Sequence, residues 1–313
     1  MNRRQVMALG MAALAAPLSP GARAAEGFFA RHGLSIGLQL YTVSDAARQD
    51  LEGSFARLAK IGFRDIELAG YHGHTPAALK AAADRHGMRF TGIHLSAAPF
   101  APDDPSLAGD IAKLAADLHM LGLTEVTLPI MLLPEGAAPA QGEGFPAFLS
   151  RATATMGRAG WQRTADFLNA RAALLAREGL RLGYHNHNLE FAPVEGTTGW
   201  DVLVDGTDPA LVDLELDVGW VAAAGQDPLA VLARHAGRVR QMHVKDIKAS
   251  TRPNFTLQQD PTQVGDGSLP WAKLLPAAQA AGVRRFYVEQ EPPFTMDRFD
   301  AITRSHRYLA SLD

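Results

Sequence analysis

The sequence predicts a (β/α)8 TIM barrel, and the strongest reason is a repeated sequence unit. In each copy a helix-patterned stretch ends at a glycine, one or two polar or basic residues follow, and a short apolar strand comes next. Glycine at a helix end supplies the left-handed conformation that stops the helix before the strand begins. The unit occurs at residues 58–68, 83–94, 118–129, 175–187 and 278–291. Strands that alternate with helices in this way indicate a parallel sheet.

Three further apolar segments bring the number of predicted strands to eight. They lie at residues 35–41, 212–218 and 241–246. Eight strand–helix units in roughly 280 residues match the usual size of such a barrel. A doubly wound open sheet is the rival, but no glycine-rich phosphate-binding loop follows the first strand, and a nicotinamide cofactor is therefore not expected. Because no linker divides the chain, residues 25–313 are expected to form one domain.

Residues 1–24 resemble an export leader rather than part of the fold. Arg3 and Arg4 precede an apolar run from Val6 to Leu18, and small residues near Ala24 resemble a cleavage site. Paired arginines before a moderately apolar run are typical of a twin-arginine signal. An uncleaved anchor helix is the alternative, but two prolines interrupt the run and it is short for a bilayer. The mature protein is therefore expected in the periplasm, free of the membrane.

The composition argues against several classes of function. The chain is 47% hydrophobic and 20% charged, as in ordinary globular proteins. Its formal net charge of -3 gives no electrostatic reason to expect nucleic acid or an anionic membrane as a partner. The absence of cysteine excludes disulfides, thiolate metal sites and cysteine nucleophiles. A small molecule is the expected partner.

Two long connections follow predicted strands, at residues 132–159 and 249–267. Loops after strands lie at the rim of a barrel where active sites form, so both are expected to cover a site or contact a partner. Tolerated insertions are the alternative, and the alanine, glycine and proline content of the first also fits partial disorder. His72 and His74, in the loop after the second strand, resemble a metal pair at i, i+2, but they are expected to be solvated loop residues or to make occasional lid contacts.

Four consecutive strands each run into a residue that can bind a metal. These residues are His185, Asp217, His243 and Glu289. Side chains alternate between the two faces of a strand, so the four share one face and their apolar neighbours share the other. In a closed barrel the polar face is the lumen, and the four ligands meet at its C-terminal rim. The pattern predicts a mononuclear divalent-metal site, and hence an enzyme.

Each of these residues also has a purely structural interpretation. A single histidine in a strand is more often a hydrogen-bonded core residue, and an acid at a strand end often caps the next helix. Their equivalent positions on consecutive strands favour the metal. Two imidazoles and two carboxylates suit a first-row divalent ion, whereas calcium and a closed structural zinc site fit this set less well.

Five motifs, in order, carry a resemblance to a known family: YHNHNLEF, LDVGW, HVKD, VGDGSLPW and YVEQE. The sequence resembles the sugar phosphate isomerase/epimerase family of xylose-isomerase-like barrels, which includes tagatose and psicose epimerases, inosose isomerase and inosose dehydratase. The segments GLQLYTV and FRDIELAG fit the first two strands of that family, so the resemblance covers nearly the whole mature chain. It implies a sugar or keto-sugar as substrate, and a homodimer as in related barrels.

The resemblance implies Mn²⁺ as the metal, with Mg²⁺, Co²⁺ or Zn²⁺ as alternatives. The family's Glu, Asp, His and Glu ligands fall on His185, Asp217, His243 and Glu289, so His185 departs from the pattern. In the epimerases two glutamates exchange protons through a metal-bound enediolate, and only Glu289 remains of that pair. His185 is then a ligand or an acid/base, and His187 or Glu190 is the natural second acid/base.

Further residues at the strand ends are predicted to contact the substrate: Glu67, His94, His187, Lys245 and Trp220. By resemblance, Glu190 binds sugar hydroxyls. Glu67 has a cap or a salt bridge as its structural alternative. An ion pair with Glu215 or Asp246 is the alternative for Lys245, and a wall of the helix layer is the alternative for Trp220.

These observations predict a metal-dependent isomerase or epimerase of a sugar or keto-sugar, which abstracts a proton beside a carbonyl. Because one glutamate of the family's pair is missing, a lyase that works by one-sided β-elimination is the alternative. Such a lyase would dehydrate a keto-sugar or cleave a 3-keto-glycoside. A sugar-binding barrel without catalytic activity is a third hypothesis.

Overall fold

The computed structural model describes residues 27–99 and 104–313, and it contains a closed barrel of eight parallel strands. Each strand pairs with its neighbours in the sequence, and β8 closes the ring on β1. The strands are β1 Ile36–Gln39, β2 Asp65–Ala69, β3 Arg89–His94, β4 Glu125–Leu128, β5 Arg181–His185, β6 Val212–Asp217, β7 Val239–Val244 and β8 Arg285–Val288. The predicted barrel is therefore confirmed. The predicted export leader lies outside the described residues.

Helices surround the barrel and follow the strands in the expected order. They are α1 Phe28–Arg31, α2 Ser44–Gln49, α3 Leu51–Ile61, α4 Pro76–Arg85, α5 Ile111–Leu121, α6 Phe145–Ala154, α7 Gly157–Arg177, α8 Gly199–Gly206, α9 Val218–Ala223, α10 Pro228–Arg234, α11 Trp271–Ala281 and α12 Arg298–Ser311. Short 3-10 turns span Leu40–Val43 and Leu189–Phe191. Among the described helices, none has the length and apolar character needed to cross a bilayer.

The glycines of the repeated unit end helices as the sequence predicts. All five have positive φ angles, which residues other than glycine rarely adopt: Gly62, Gly87, Gly122, Gly179 and Gly282. Helix starts are capped in several cases by an acid or a threonine. For example, the Asp110 carboxylate accepts hydrogen bonds from the backbone N–H groups of Ala112 and Lys113.

The hydrophobic core lies between the strands and the helices, whereas the lumen of the barrel is polar. Alternate strand residues such as Leu214 and Leu216 are fully buried on the outer face. In the lumen, the amide of Gln241 donates to Thr127 Oγ1 at 3.3 Å and accepts from the Tyr287 hydroxyl at 3.3 Å. Buried polar groups need such partners, and this network is the floor beneath the site.

The two long connections are ordered. The first, predicted to be partly disordered, contains α6, which buries Phe148 and Leu149 against the core. The second contains a short antiparallel hairpin that pairs Asp246–Ile247 with Pro261–Thr262. The apolar residues of α6 lie in a segment rich in turn-forming residues, so the helix could not be predicted from the spacing of apolar residues. The first predicted strand, 35–41, is also shorter than expected, because it turns into a 3-10 helix at Leu40.

Candidate functional site

A cavity of ≈ 610 Å³ lies at the C-terminal mouth of the barrel, where the strand ends and long connections meet. It is lined by the predicted site residues His94, His185, His187, Trp220 and Glu289, together with Tyr41, His72, Ile130, Phe145, Leu257 and Glu291. A pocket of this size, largely apolar with a few convergent polar groups, is typical of a small-molecule site.

The strand register places the four predicted metal ligands at two levels. His185 is paired with Glu215, whereas Asp217 is paired with His243 on the next strand. Glu215 and Asp217 lie two residues apart on one face of β6, which is about 6.6 Å along a strand. His185 is therefore deeper in the lumen than Asp217. This offset between neighbouring strands is a property of the closed barrel that the sequence pattern does not specify.

The upper group consists of Asp217, His243 and Glu289. One ligand atom from each lies within 4.8 Å of the others. His243 Nδ1 is 2.9 Å from Glu289 Oε2 and 3.8 Å from Asp217 Oδ2. The ammonium of Lys245 is 3.0 Å from Asp217 Oδ2 and 2.8 Å from Glu289 Oε2, and it also pairs with Glu291 at 2.6 Å. A single buried cation therefore faces three carboxylates.

The lower group consists of His94, His185, Glu215 and His243, again with one ligand atom of each within 4.8 Å of the others. Glu215 Oε2 is 2.5 Å from His94 Nε2 and 3.2 Å from His185 Nδ1. His243 belongs to both groups because its second ring nitrogen, Nε2, lies 3.5 Å from Glu215 Oε2. The four ligands predicted from the sequence are thus divided between two groups that share His243.

Charge and burial compete in the upper group. Burial would lower the pKa of Lys245, but the carboxylates of Asp217 and Glu289 outweigh it and raise that pKa well above its usual range. Burial would raise the pKa of Glu289, but Lys245 and His243 bring it well below its usual range. Burial raises the pKa of Asp217 to about 6. At neutral pH the group holds charged carboxylates beside a charged lysine.

Burial sets the direction of the pKa shift for one member of the lower group, His185, and for the nearby Glu67 and His187. Burial and the nearby Glu215 carboxylate raise the pKa of Glu67 to about 7. Burial and the nearby His243 lower the pKa of His185 to about 3, and burial lowers the pKa of His187 well below its usual value. His185 and His187 therefore present neutral imidazoles to the cavity at pH 7.

The donor atoms of both groups fit a divalent metal ion. Opposite ligands of a bound first-row ion lie about 4 Å apart, close to the spacing found here. Glu215 Oε1 is buried without a hydrogen-bond partner among the described residues, and such an acceptor is costly unless a cation satisfies it. The upper group offers one imidazole and two carboxylates, and Glu289 among them lines the cavity. A catalytic ion needs such a set of about three protein ligands with a coordination position left open to the substrate. Metal binding by these residues stays a prediction.

Three predicted substrate-contacting residues have other partners and are not among the described residues that line the cavity. Glu67 is completely buried and accepts a hydrogen bond from the Gln39 amide at 2.9 Å. Lys245 lies against the carboxylates of the upper group rather than the alternatives Glu215 and Asp246. Glu190, completely buried, is the third. Direct contact of these residues with a substrate stays a prediction.

Glu190 lies outside the lumen because Tyr184, its partner, is on the outer face of β5. The Tyr184 hydroxyl donates to Glu190 Oε1 at 2.7 Å, and the backbone N–H of His187 donates to Oε2 at 2.9 Å. Burial raises the pKa of Glu190 to about 7. These two contacts hold the loop that carries His187 in place, and a catalytic or hydroxyl-binding role of Glu190 stays a prediction.

Sequence reasoning missed several residues of the site. Glu215 shares the face of Asp217, two residues earlier in the same strand, so the alternation itself gave a signal for it. Glu291 lies two residues beyond Glu289 and pairs with Lys245. His72, expected to be solvated, is buried and lines the cavity, where Ser44 Oγ is 3.1 Å from its Nδ1. No local pattern marks His72, since its burial depends on a distant helix.

Two motif residues have structural roles that support the site. Gly219 of LDVGW lies against Lys245, and a methyl group there would be 2.8 Å from Cγ of the lysine. Asp246 of HVKD accepts five hydrogen bonds, from the N–H groups of Ile247, Gly265, Gly267 and Leu269 and from the Trp271 indole. The VGDGSLPW segment thus folds around the Asp246 carboxylate and anchors the second long connection.

Comparisons with known proteins agree with this architecture. The inosose dehydratase of Geobacillus thermodenitrificans is 25% identical over 272 residues, covering 82% of this chain and 88% of that protein. A sugar phosphate isomerase/epimerase from Parabacteroides distasonis superposes with a TM-score of 0.70 at 22% identity, covering 87% and 96% of the two chains. For the 3-keto-D-glucoside 4-epimerase from E. coli the TM-score is 0.58 at 16% identity, covering 88% and 98%.

The family comparison covers most of the chain. Residues 55–312 match the family described as xylose isomerase-like TIM barrel. This range includes β2 to β8 and every residue of the upper and lower groups. The resemblance found in the sequence motifs is confirmed, and the protein belongs to the xylose isomerase-like TIM barrel family.

Proposed function

We propose that the protein is a divalent-metal-dependent lyase that acts on a keto-sugar or a cyclic polyol ketone. It removes a proton from the carbon beside the carbonyl and expels an oxygen substituent from the next carbon. The observation that carries the proposal is the number of carboxylates that the two metal-binding groups present to the cavity. Of the acids in the upper and lower groups, Glu289 is the one that lines the cavity in the described part of the chain. A single base suffices for elimination, whereas exchange between two carboxylates needs a second one.

Glu289 is placed to act as the base because it lines the cavity and is ionised at neutral pH. Its Oε2 lies 2.9 Å from His243 Nδ1 and 2.8 Å from Lys245 Nζ, so Oε1 would be the atom that takes the proton. In the elimination the C–H bond and the neighbouring C–O bond break and a C=C bond forms. The proton that Glu289 receives can pass to the leaving oxygen on the same face of the substrate, so the atoms balance without another reactant.

The upper group would hold the metal through Asp217, His243 and Glu289. A bound divalent ion would supply Lewis-acid polarisation of the ketone oxygen, which makes the adjacent C–H bond more acidic. The neutral imidazoles of His185 and His187 form another part of the cavity wall. Uncharged rings that donate and accept hydrogen bonds suit the hydroxyl groups of a polyol.

The relatives support this substrate class. A curated relative that matches 82% of the chain is an inosose dehydratase, and its name describes the loss of water from a keto-polyol. An isomerase or epimerase is the second candidate. It is favoured by His187, whose neutral imidazole lines the same cavity as Glu289 and could return a proton to the substrate. A sugar-binding barrel without catalysis is the third.

Metal analysis and isotope exchange distinguish these functions. Purified protein should contain about one divalent ion per chain by elemental analysis, and His243→Ala should lose it. Metal-replete protein incubated with inosose and 3-keto-glucosides in D₂O should release water or an alcohol. Deuterium in a recovered isomer, without such release, would favour the epimerase. Absence of both metal and turnover would favour the third candidate, a sugar-binding barrel without catalysis.

The same substitution at two glutamates, Glu289 and Glu178, tests whether Glu289 is the base. Glu289→Gln keeps the shape of the side chain but removes the base, so kcat should fall about 100-fold or more. Glu178→Gln changes an exposed glutamate at the end of α7 and should leave kcat unchanged. Equal activity of the two variants would remove Glu289 from the mechanism.

We also propose export to the periplasm through the twin-arginine route. The proposal is based on Arg3, Arg4 and the apolar run that follows them. Replacing both arginines by lysine should retain the protein in the cytoplasm with an uncleaved leader, which cell fractionation and mass determination can detect. Periplasmic delivery of the doubly substituted protein would contradict this.

A further inference from the structure

A second cavity of ≈ 500 Å³ lies beside the first, beneath the long connection after β7. Trp220, Leu257 and Glu291 line both cavities and form the boundary between them. The other walls come from the connection itself: Ser250, Thr251, Arg252, Asn254, Gln258, Gln259 and Asp260, with Pro292 from the loop after β8. The metal-binding groups and the base do not line it in the described part of the molecule, so it has no place in the proposed chemistry.

The cavity is a built feature rather than a gap beneath a loose loop. Asn188, completely buried, donates to Asn254 Oδ1 at 2.8 Å and to the Asn254 carbonyl at 3.0 Å, and it accepts from the Leu257 N–H at 3.1 Å. Asn254 also donates its own backbone N–H to the carbonyl of Ala223 in α9. The five hydrogen bonds to Asp246 fix the far end of the connection. A wall held at both ends is preorganised for a ligand.

The polar groups of this cavity are incompletely satisfied. Within residues 27–99 and 104–313, neither the nitrogen nor the oxygen of the Gln259 amide has a hydrogen-bond partner, although both atoms are buried. The indole N–H of Trp220 lacks one too, and that side chain is 1% exposed. Buried donors and acceptors without partners are costly, so a ligand that satisfies them would be favoured. Together they offer two donors and an acceptor.

The charges of the lining favour a neutral ligand. Arg252 carries the positive charge, whereas Asp260 and Glu291 carry negative charges. The remaining polar groups are hydroxyls and amides, which pair with hydroxyl groups in either direction. These properties suit a hydroxyl-rich group and disfavour a phosphate or an apolar aglycone.

We propose that the second cavity binds a hydroxyl-rich leaving group, so that the substrate is a glycoside whose ketone-bearing ring occupies the first cavity. The proposal rests on the lyase function above and specifies its substrate class. In a 3-keto-glucoside, Glu289 takes the proton from C2, the bond from C1 to the glycosidic oxygen breaks, and a C1=C2 bond forms. The proton then passes to the departing oxygen, which leaves as a second sugar with its hydroxyl restored.

Two probes of defined structure test the subsite. Trehalose oxidised at C3 of one ring carries a glucosyl leaving group, and methyl 3-keto-α-D-glucopyranoside carries a methyl group in its place. Calorimetric titration and kcat/KM of the metal-replete protein should favour the disaccharide by about 10-fold or more. Each neutral hydrogen bond to the second ring should contribute about 3- to 10-fold.

Variants assign the preference to the cavity. Gln259→Ala should reduce the preference for the disaccharide by about 3- to 10-fold. The values for the methyl glycoside should stay within about 2-fold, because Gln259 lines the second cavity and is not among the described residues that line the first. Gln279→Ala, on α11 away from both cavities, is the matched control and should change neither value. Thermal unfolding of both variants checks that the fold is retained.

The outcomes separate the subsite from the function on which it rests. Turnover of both probes with no preference, or a preference that Gln259→Ala leaves intact, would overturn the subsite and retain the lyase. Turnover of inosose with no binding of either glycoside would also overturn the subsite. A protein that neither binds nor converts any of the three ketones would overturn the lyase and the subsite together.

Discussion

The buried ammonium of Lys245 should act as the internal counter-ion of the upper group when no metal is bound. Its Nζ lies 3.0 Å from Asp217 and 2.8 Å from Glu289, and the lysine side chain is 1% exposed. Replacement of Lys245 by methionine, of similar length and apolar, leaves these carboxylates buried without a cation. Removing one partner of a buried ion pair costs about 3–5 kcal/mol. Glu291 is partly exposed and adds little, so we expect about 3 kcal/mol.

Urea denaturation in the presence of EDTA measures this cost. Lys245→Met should lose about 3 kcal/mol of unfolding free energy, whereas Lys248→Met, an exposed lysine three residues later, should change by less than about 0.5 kcal/mol. Mn²⁺ should then restore much of the loss, because a ligand at 100 times its Kd stabilises the folded state by about 2.7 kcal/mol. The gain should be at least as large in Lys245→Met as in the native protein, since no ammonium competes with the metal.

Two results would refute this reasoning. If Lys245→Met is as stable as Lys248→Met in EDTA, the ammonium does not compensate the carboxylates. If Mn²⁺ stabilises the native protein but not Lys245→Met, the lysine assists the ion rather than standing in for it, and the upper group would need a different description.

Three further substitutions test neighbouring parts of the structure. Asp246→Asn should lose at least two of its five hydrogen bonds and destabilise the protein by about 2–5 kcal/mol in urea denaturation; a change below 1 kcal/mol would contradict the anchoring role. In the native protein the pKa of Glu190 is raised to about 7, so the folded state binds more protons than the unfolded state between about pH 4.5 and 7. Glu190→Gln removes this acid but can still form a hydrogen bond with Tyr184. Native stability should therefore fall as pH rises through that window, by up to about 3 kcal/mol, and the stability curve of Glu190→Gln should lack this fall. Gly219→Ala places a methyl group 2.8 Å from the buried lysine side chain and should cost about 1–3 kcal/mol in thermal unfolding, a loss that an undisturbed melting temperature would disprove.

The barrel could be predicted because its determinants are local. Glycines at helix ends and two-residue alternation within the strands are short-range features, and they placed all eight strands within a few residues. The same alternation put Asp217, His243 and Glu289 on the lumen side, where three of the four predicted ligands form the upper group. How far each strand is shifted against its neighbour depends on closure of the whole ring. That shift places His185 beside Glu215, and no single strand carries the information.

Long-range packing explains the remaining differences. Glu190 was assigned to the substrate because it follows β5, yet its orientation is decided by Tyr184 on the outer face. Lys245 lies between three carboxylates from two strand ends, and the separate motifs do not reveal these contacts. The second cavity depends on Asn188 reaching Asn254, 66 residues later in the chain. Side-chain contacts at this separation require the folded coordinates.

The polar lumen has a consequence for how such a protein can diversify. Cohesion comes from the aliphatic layer outside the ring, such as Leu214 and Leu216, whereas chemistry is confined to residues inside it, such as Glu215 and Asp217. Alternation along each strand keeps these two sets independent at every position. Residues that face the lumen can therefore be exchanged in compensating pairs. An imidazole can replace a carboxylate, or a lysine ammonium can replace a metal ion, while the outer layer keeps the barrel unchanged. New specificities can arise on this scaffold without reinvention of its fold.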